Sequence, residues 1–317
     1  MPMHPAPPED LHGLVEAFVQ SAQAVLDLGR TCPPESFALP TQCAGWTVHD
    51  QFSHIVGMEA MLEGFRDPPV SVPDHDHVTN EQARFVERAV ELRRSRTDRD
   101  VLSELEHVLN SRFSTLRSPG LTETSILPGP FGPDEAATVT RLRTFDLWNH
   151  EQDIRTALGR PGDLDSPAAA VVVDMIFDQL PKVVARKAGI APGHRVIFDV
   201  TGPVHARTGV RVEADETGRA RGHEMFTGDK SHLSATAATA SPSGSGGSGG
   251  PAARTGSPGP SASAPEQGEP PTTTIALSTA AFTRRAAGRQ SVEETRYTVV
   301  GDDDVARRVI EALVITR

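Results

Sequence analysis

Between residues 234 and 271 the chain is built almost wholly from Ser, Gly, Ala and Pro, with almost no large apolar side chain. Such a tract buries too little apolar surface to offset the entropy of ordering it, and it reads as a disordered insert. Its SGSGGSGG run lacks a preceding strand, a following helix and any Lys, so a flexible linker fits it better than a phosphate loop. The foldable sequence therefore lies on either side. Strands can still pair across the insert, because loop-closure entropy grows slowly with length. A chain of 317 residues suggests two domains, each able to bury a core.

Ahead of the insert the periodicity is helical. Residues 10–29 set Leu11, Leu14, Val15, Phe18, Ala22, Val25 and Leu28 toward one face, with Gly29 as the expected stop. After a Pro-punctuated connection, Thr47 caps a second helix with Asp50 at the capping-box position, and Val48, Phe52, Ile55 and Leu62 form its apolar stripe. Thr79 opens a third helical segment, and a further one runs through Leu102, Leu105, Leu109, Phe113 and Leu116. A loop rich in Gly and Pro, 119–133, separates these from residues 140–159, TRLRTFDLWNHEQDIRTALG, the fourth main helix.

At about 100° per residue, Val139, Leu142, Asp146, His150, Asp153 and Ala157 fall on one stripe of that helix. Asp146 and His150 stand one turn apart, so a carboxylate and an imidazole can close on one metal ion or simply share a surface hydrogen bond. A third ligand from another helix decides between these readings. His54 lies at the edge of the second helix's stripe, and antiparallel packing of the helices brings it to the pair in the interior, where bundles build metal sites. Taken alone, His54 reads as a hydrogen-bonded structural residue. The His75-Asp76-His77 triplet has ligand-type residues, but on a loop it reads as solvated.

Charge and cysteine usage narrow the function classes. The net charge is -11 and the Arg residues are scattered among carboxylates, which makes nucleic acid and anionic membrane poor partners. No run approaches the roughly 20 apolar residues of a membrane span and the N-terminus lacks a signal pattern, so a cytoplasmic location is expected. Two cysteines, Cys32 and Cys43, make no disulfide framework and read as reduced thiols.

Beyond the helices, 166–189 reads as a helical connector with Pro181 as a kink. The segment 194–201 is β-rich, and 208–214 alternates as a strand before a turn at 215–218. After the insert come a strand at 273–277, a short helix at 279–287, a strand at 294–300 and a closing helix at 303–313. The expected organisation is α+β and multidomain: a helical bundle over 8–165, a connecting helix over 166–190, and a small C-terminal α/β domain over 191–317 interrupted at 234–271.

With TQCAGWTVHDQFSHI and DLWNHEQDIRTALGRPG in hand, the N-terminal half resembles the mycothiol-dependent maleylpyruvate isomerase family. The matching residues are Cys43, Gly45, Trp46, Thr47, Val48 and Asp50, then His54, then an acidic residue four before a His and followed by Asp-Ile-Arg-x-Ala-Leu-Gly. The resemblance implies a DinB-like antiparallel four-helix bundle whose two His and acidic residue bind a divalent metal, zinc by preference. Carried over, these are His54, Asp146 and His150. The family's acidic ligand is usually Glu, and the shorter Asp implies a displaced or weaker site. More weakly, ALSTAAFTRRAAGRQS followed by VVGDDDVARRVI resembles the family's sterol-carrier-protein-like C-terminal domain. There Arg289 is a candidate for binding an anionic substrate or thiol, or else a structural ion pair.

Three protein ligands leave a divalent ion with an open position. The resemblance implies mycothiol as the thiol that fills it, with a small electrophile as substrate and cis-trans isomerisation or thiol transfer as the reaction. Asp153 and Asn149 are candidates to orient His150, since a ligating imidazole usually donates its second N–H to an acceptor. Two other readings stay open: a non-catalytic protein binding a metal or small ligand, and a thiol-dependent hydrolase or dehalogenase. A monomer or small homo-oligomer is expected.

Overall fold

The computed structural model describes residues 3–226 and 270–316, so the expected disordered insert lies, but for its last two residues, outside the described residues. Those described form a mixed fold of eight α-helices and two β-sheets.

Helix α1 (Leu11–Arg30) starts where Asp10 accepts a hydrogen bond from the Gly13 amide at 2.7 Å. It does not stop at Gly29 as expected. Gly29 is buried inside the last turn, where an added Cβ would meet Leu102 Cδ2 at 2.5 Å. The residue serves close helix packing, and Thr31 forms the cap instead.

Helix α2 (Val48–Leu62) begins with the expected capping box: the Thr47 side chain accepts from the Asp50 amide and the Asp50 carboxylate accepts from the Thr47 amide at 2.9 Å. It is buried on nearly every side, including the polar Gln51, Ser53, His54 and Glu59. The box satisfies amides at the helix start, and Thr47→Ala is expected to cost about 1 kcal/mol in urea denaturation. A variant as stable as wild type contradicts this.

Helix α3 (Glu81–Glu91) is capped by Asn80 rather than opening at Thr79, and α4 (Asp98–Leu116) is capped by Thr97. A two-stranded hairpin, β1 (Ile126–Leu127) with β2 (Asp134–Glu135), then feeds directly into α5 (Ala136–Ala157). Strands this short carry no readable alternation, so the hairpin and the four-residue earlier start of α5 escape a periodicity reading. The helices close on a core that includes Phe18, Val25, Phe52, Ile55, Leu105 and Leu147.

Helix α6 (Pro167–Lys182), capped by Ser166, is more than a connector. Its Ala169, Val172, Val173, Ile176 and Leu180 wall a second core with the sheet, and Trp148 of α5 is buried in that same core. Pro181 lacks an N–H, and the helix passes just beyond it into a π-helical turn, Val183–Lys187. The sheet joins β3 (Arg195–Thr201), β4 (His205–Ala214), β5 (Ala220–Met225), β6 (Thr272–Leu277) and β7 (Tyr297–Val300) in the order β5-β4-β3-β6-β7. Strands β3 and β6 run parallel, with Phe198 opposite Ile275, so the chain leaves from the β5 edge and returns beside the central strand. Helices α7 (Thr279–Ala286) and α8 (Asp303–Ala312) complete this half, with Phe282 and Ile310 in the core. Strand β5, ARGHEM, was not expected, because it lacks apolar alternation.

Candidate metal centre

The packing of α2 against α5 sets His54 beside Asp146 and His150. One ligand-type atom from each lies within 4.8 Å of the other two. His54 Nε2 is 3.4 Å from Asp146 Oδ2, His150 Nε2 is 3.5 Å from Asp146 Oδ1, and the two imidazole centroids are 4.3 Å apart. These separations exceed an optimal hydrogen bond. The two N–O separations, one to each carboxylate oxygen, are close to the edge of about 3.4 Å of a tetrahedron built on bonds of about 2.1 Å. The donor set of two imidazoles and one carboxylate suits a divalent ion of the zinc class, and Asp146, despite its shorter side chain, reaches both rings. Among the three, Asp146 is the solvent-facing donor, with a side chain 32% exposed against 4% and 8% for the histidines.

The surroundings tune each donor. Burial, and then the neighbouring His150, push the His54 imidazole down to about 4, so it is neutral at pH 7 with a lone pair to give. Burial opposes charge on Asp146, but Arg143 and His150 outweigh it and hold the carboxyl well below the usual range. Burial also opposes charge on His150, and Asp146 and Asp153 outweigh that to raise it. Arg143 is the anchor: its Nη1 donates to Asp146 Oδ2 at 2.9 Å and its Nε to the buried Glu59 at 2.8 Å, while Arg112 lies 3.4 Å from the other Glu59 oxygen. Trp46 lines the site, its ring 5.0 Å from His54 and 5.9 Å from His150.

The expected orienting residues divide differently. The near partner of His150 Nδ1 is Gln51 Oε1 at 2.7 Å, while Asp153 Oδ2 stands at 3.5 Å. Asp153 is fully buried and accepts chiefly from the sheet half: from Arg284 of α7 and from Arg289 Nε at 3.1 Å. Arg284 is also held by Gln42 Oε1 at 2.7 Å and by the Asn149 carbonyl at 3.3 Å. Asn149 itself donates to the Phe145 carbonyl at 2.8 Å rather than to His150. Arg289 thus sits in an ion pair at the edge of the centre. Gln51, Arg143 and Arg284 were not singled out in the sequence. Gln51 precedes His54 by three and Arg143 precedes Asp146 by three, so helical spacing alone places both beside a ligand.

Both cysteines are free. Burial, partly offset by Arg289, pushes the Cys43 thiol up to about 11. Its alkylation by iodoacetamide is expected to rise about tenfold per pH unit from pH 7 to 10, because the thiolate is the nucleophile. Rapid labelling at pH 7 contradicts this.

Residues 18–155 match the family model of the mycothiol maleylpyruvate isomerase N-terminal domain. This segment belongs to that family. The isomerase-family segment contains His54, Asp146 and His150 and ends two residues beyond Asp153. Two solved structures, described as the mycothiol-dependent maleylpyruvate isomerase and a histidine-to-alanine mutant of it, each align at a TM-score of 0.50 and 12% identity, covering 91% of this chain and 92% of theirs. The likeness extends the shared fold past the isomerase-family segment into the sheet half. No curated protein matches the chain significantly.

Proposed function

We propose that the chain is a metal- and mycothiol-dependent enzyme that isomerises a small electrophilic substrate or transfers a thiol to it. On this reading residues 8–165 are a DinB-like four-helix bundle holding zinc through His54, Asp146 and His150. A connecting helix spans 166–190, and 191–317 is a sterol-carrier-protein-like domain. The observation that carries the proposal is the convergence of those three donors from two helices, one ligand atom of each within 4.8 Å of the others, inside a segment that matches the isomerase family.

A divalent metal held by His54, Asp146 and His150 would supply, at a position beside them, the Lewis acidity that lowers the pKa of an external thiol. The protein's own residues prepare that position. Arg143 fixes the rotamer and the charge of Asp146. Gln51 holds His150 Nδ1, leaving Nε2 turned toward the centre. Trp46 covers the two imidazoles and limits water there. Arg289, paired through its Nε with Asp153, brings positive charge from the sheet half to the edge of the centre, where it can meet an anionic substrate, while Arg284 fixes Asp153 and Gln42. The Cys43 thiol, held neutral by burial, leaves the nucleophile to an external thiol.

The experiment is to follow maleylpyruvate absorbance with zinc-loaded protein, with and without mycothiol. Turnover that needs both supports the proposal. A folded chain that takes up no zinc and gives no thiol-dependent turnover with maleylpyruvate or a panel of electrophiles contradicts it, and leaves a binding protein of this fold.

A further inference from the structure

A second cluster lies on the other side of Trp46. The loop that follows α2 returns His75 and His77 against α3, where the two imidazoles stack with centroids 5.1 Å apart. They are part-buried rather than solvated as the sequence suggested, and each faces a carboxylate one turn from the other on α3. His77 Nε2 is 3.0 Å from Glu87 Oε2, and His75 Nε2 is 3.5 Å from Glu91 Oε2. Gly45 (φ +79°) makes the room: a Cβ there would stand 2.1 Å from His77 Nδ1.

What these donors converge on is a cation. Arg94 Nη1 lies 3.2 Å from His75 Nε2 and 3.4 Å from Glu91 Oε2, and its Nη2 donates to Glu87 Oε1 at 2.6 Å. A guanidinium has no acceptor, so His75 Nε2 must be accepting, and its lone pair points into the cluster. The fit to Arg94 is incomplete. Glu91 Oε2 and Arg94 Nε are buried without a hydrogen bond, Nε standing 3.4 Å from Asp50. Three carboxylates, Asp50, Glu87 and Glu91, thus share one guanidinium, whose side chain is 27% exposed and has a way out to solvent.

We propose that His75, Glu87 and Glu91 form a second divalent-cation site, of the zinc class, filled when the Arg94 guanidinium swings to solvent. One atom from each already lies within 4.8 Å of the others, and the His75–Glu91 separation matches a tetrahedral edge. His77 and the Trp46 indole N–H, at 3.0 and 2.9 Å, hold Glu87 Oε2 and leave Oε1 for the ion. An ion there ties the loop to α3. It also steadies Trp46, whose ring lies against His54 and His150. This site does not depend on the proposed enzymatic reaction.

The test is zinc titration of chelator-stripped full-length protein by calorimetry, with bound metal counted by elemental analysis. Wild type is expected to take two equivalents, and a folded His54→Ala/His150→Ala chain to retain one. In the otherwise wild-type chain His75→Ala and Glu91→Gln each remove one equivalent, and Arg94→Gln tightens the site by about tenfold or more, because no guanidinium has to be displaced. A wild-type protein binding a single ion that His75→Ala leaves untouched overturns the proposal. So does a folded His54→Ala/His150→Ala chain that binds none.

Discussion

Asp153→Ala is expected to destabilise the protein by about 3–5 kcal/mol in chemical denaturation, the cost of stripping the partner from buried charges. Asp153 is fully buried, and it receives Arg284 and Arg289, whose side chains are only 6% and 12% exposed. Those arginines belong to the sheet half and Asp153 to α5, so the substitution leaves two guanidinium groups trapped between the halves. Burial opposes charge on Asp153. His150, Arg289 and Arg284 outweigh it, and the carboxyl sits below its usual range. A depressed carboxyl contributes its stability above the unfolded value of about 3.9 and loses it as pH falls below that toward the folded value. The gap between wild type and variant is therefore expected to be full at pH 7 and to narrow only in acid below about pH 4. A variant as stable as wild type at pH 7, or a gap unchanged at pH 2, contradicts this.

His150→Ala is expected to weaken zinc binding at the α2–α5 centre by more than about 100-fold, and Gln51→Leu by about 10–100-fold, the range typical for loss of a group that orients a ligand. The order matters more than either value. Gln51 touches His150 Nδ1, on the side of the ring away from Asp146, so its loss frees the imidazole without removing a donor. Competition against a chromophoric chelator reads both constants. Equal loss in the two variants contradicts Gln51 as an orienting residue, and no loss in His150→Ala contradicts the centre itself.

Much of the helical half was legible because amphipathic periodicity and caps are local. The Thr47–Asp50 box sets the start of α2, which in turn fixes the turn from which His54 projects. What brought His54, Asp146 and His150 into one reading was the resemblance carried by their flanking motifs, since a single Asp/His pair one turn apart is common. The residues that complete the centre were less visible. Arg284 reaches Asp153 across 131 positions of sequence, and no local pattern reports a contact that tertiary packing alone creates. Local chemistry was misread in two places: Gly29 looked like a helix stop but serves a close approach to Leu102, and His75 and His77 looked solvated but pack under α3. Strand β5 and the short hairpin before α5 escaped because polar strands and two-residue strands lack the alternation from which strands are read.

The most direct measurement is the zinc content of untagged protein, wild type against His54→Ala, Asp146→Ala and His150→Ala, each checked for folding by circular dichroism. One equivalent lost in every variant relative to wild type is the predicted result. Wild-type content retained in all three, or a folded wild type that refuses added zinc, contradicts a metal centre built on those residues.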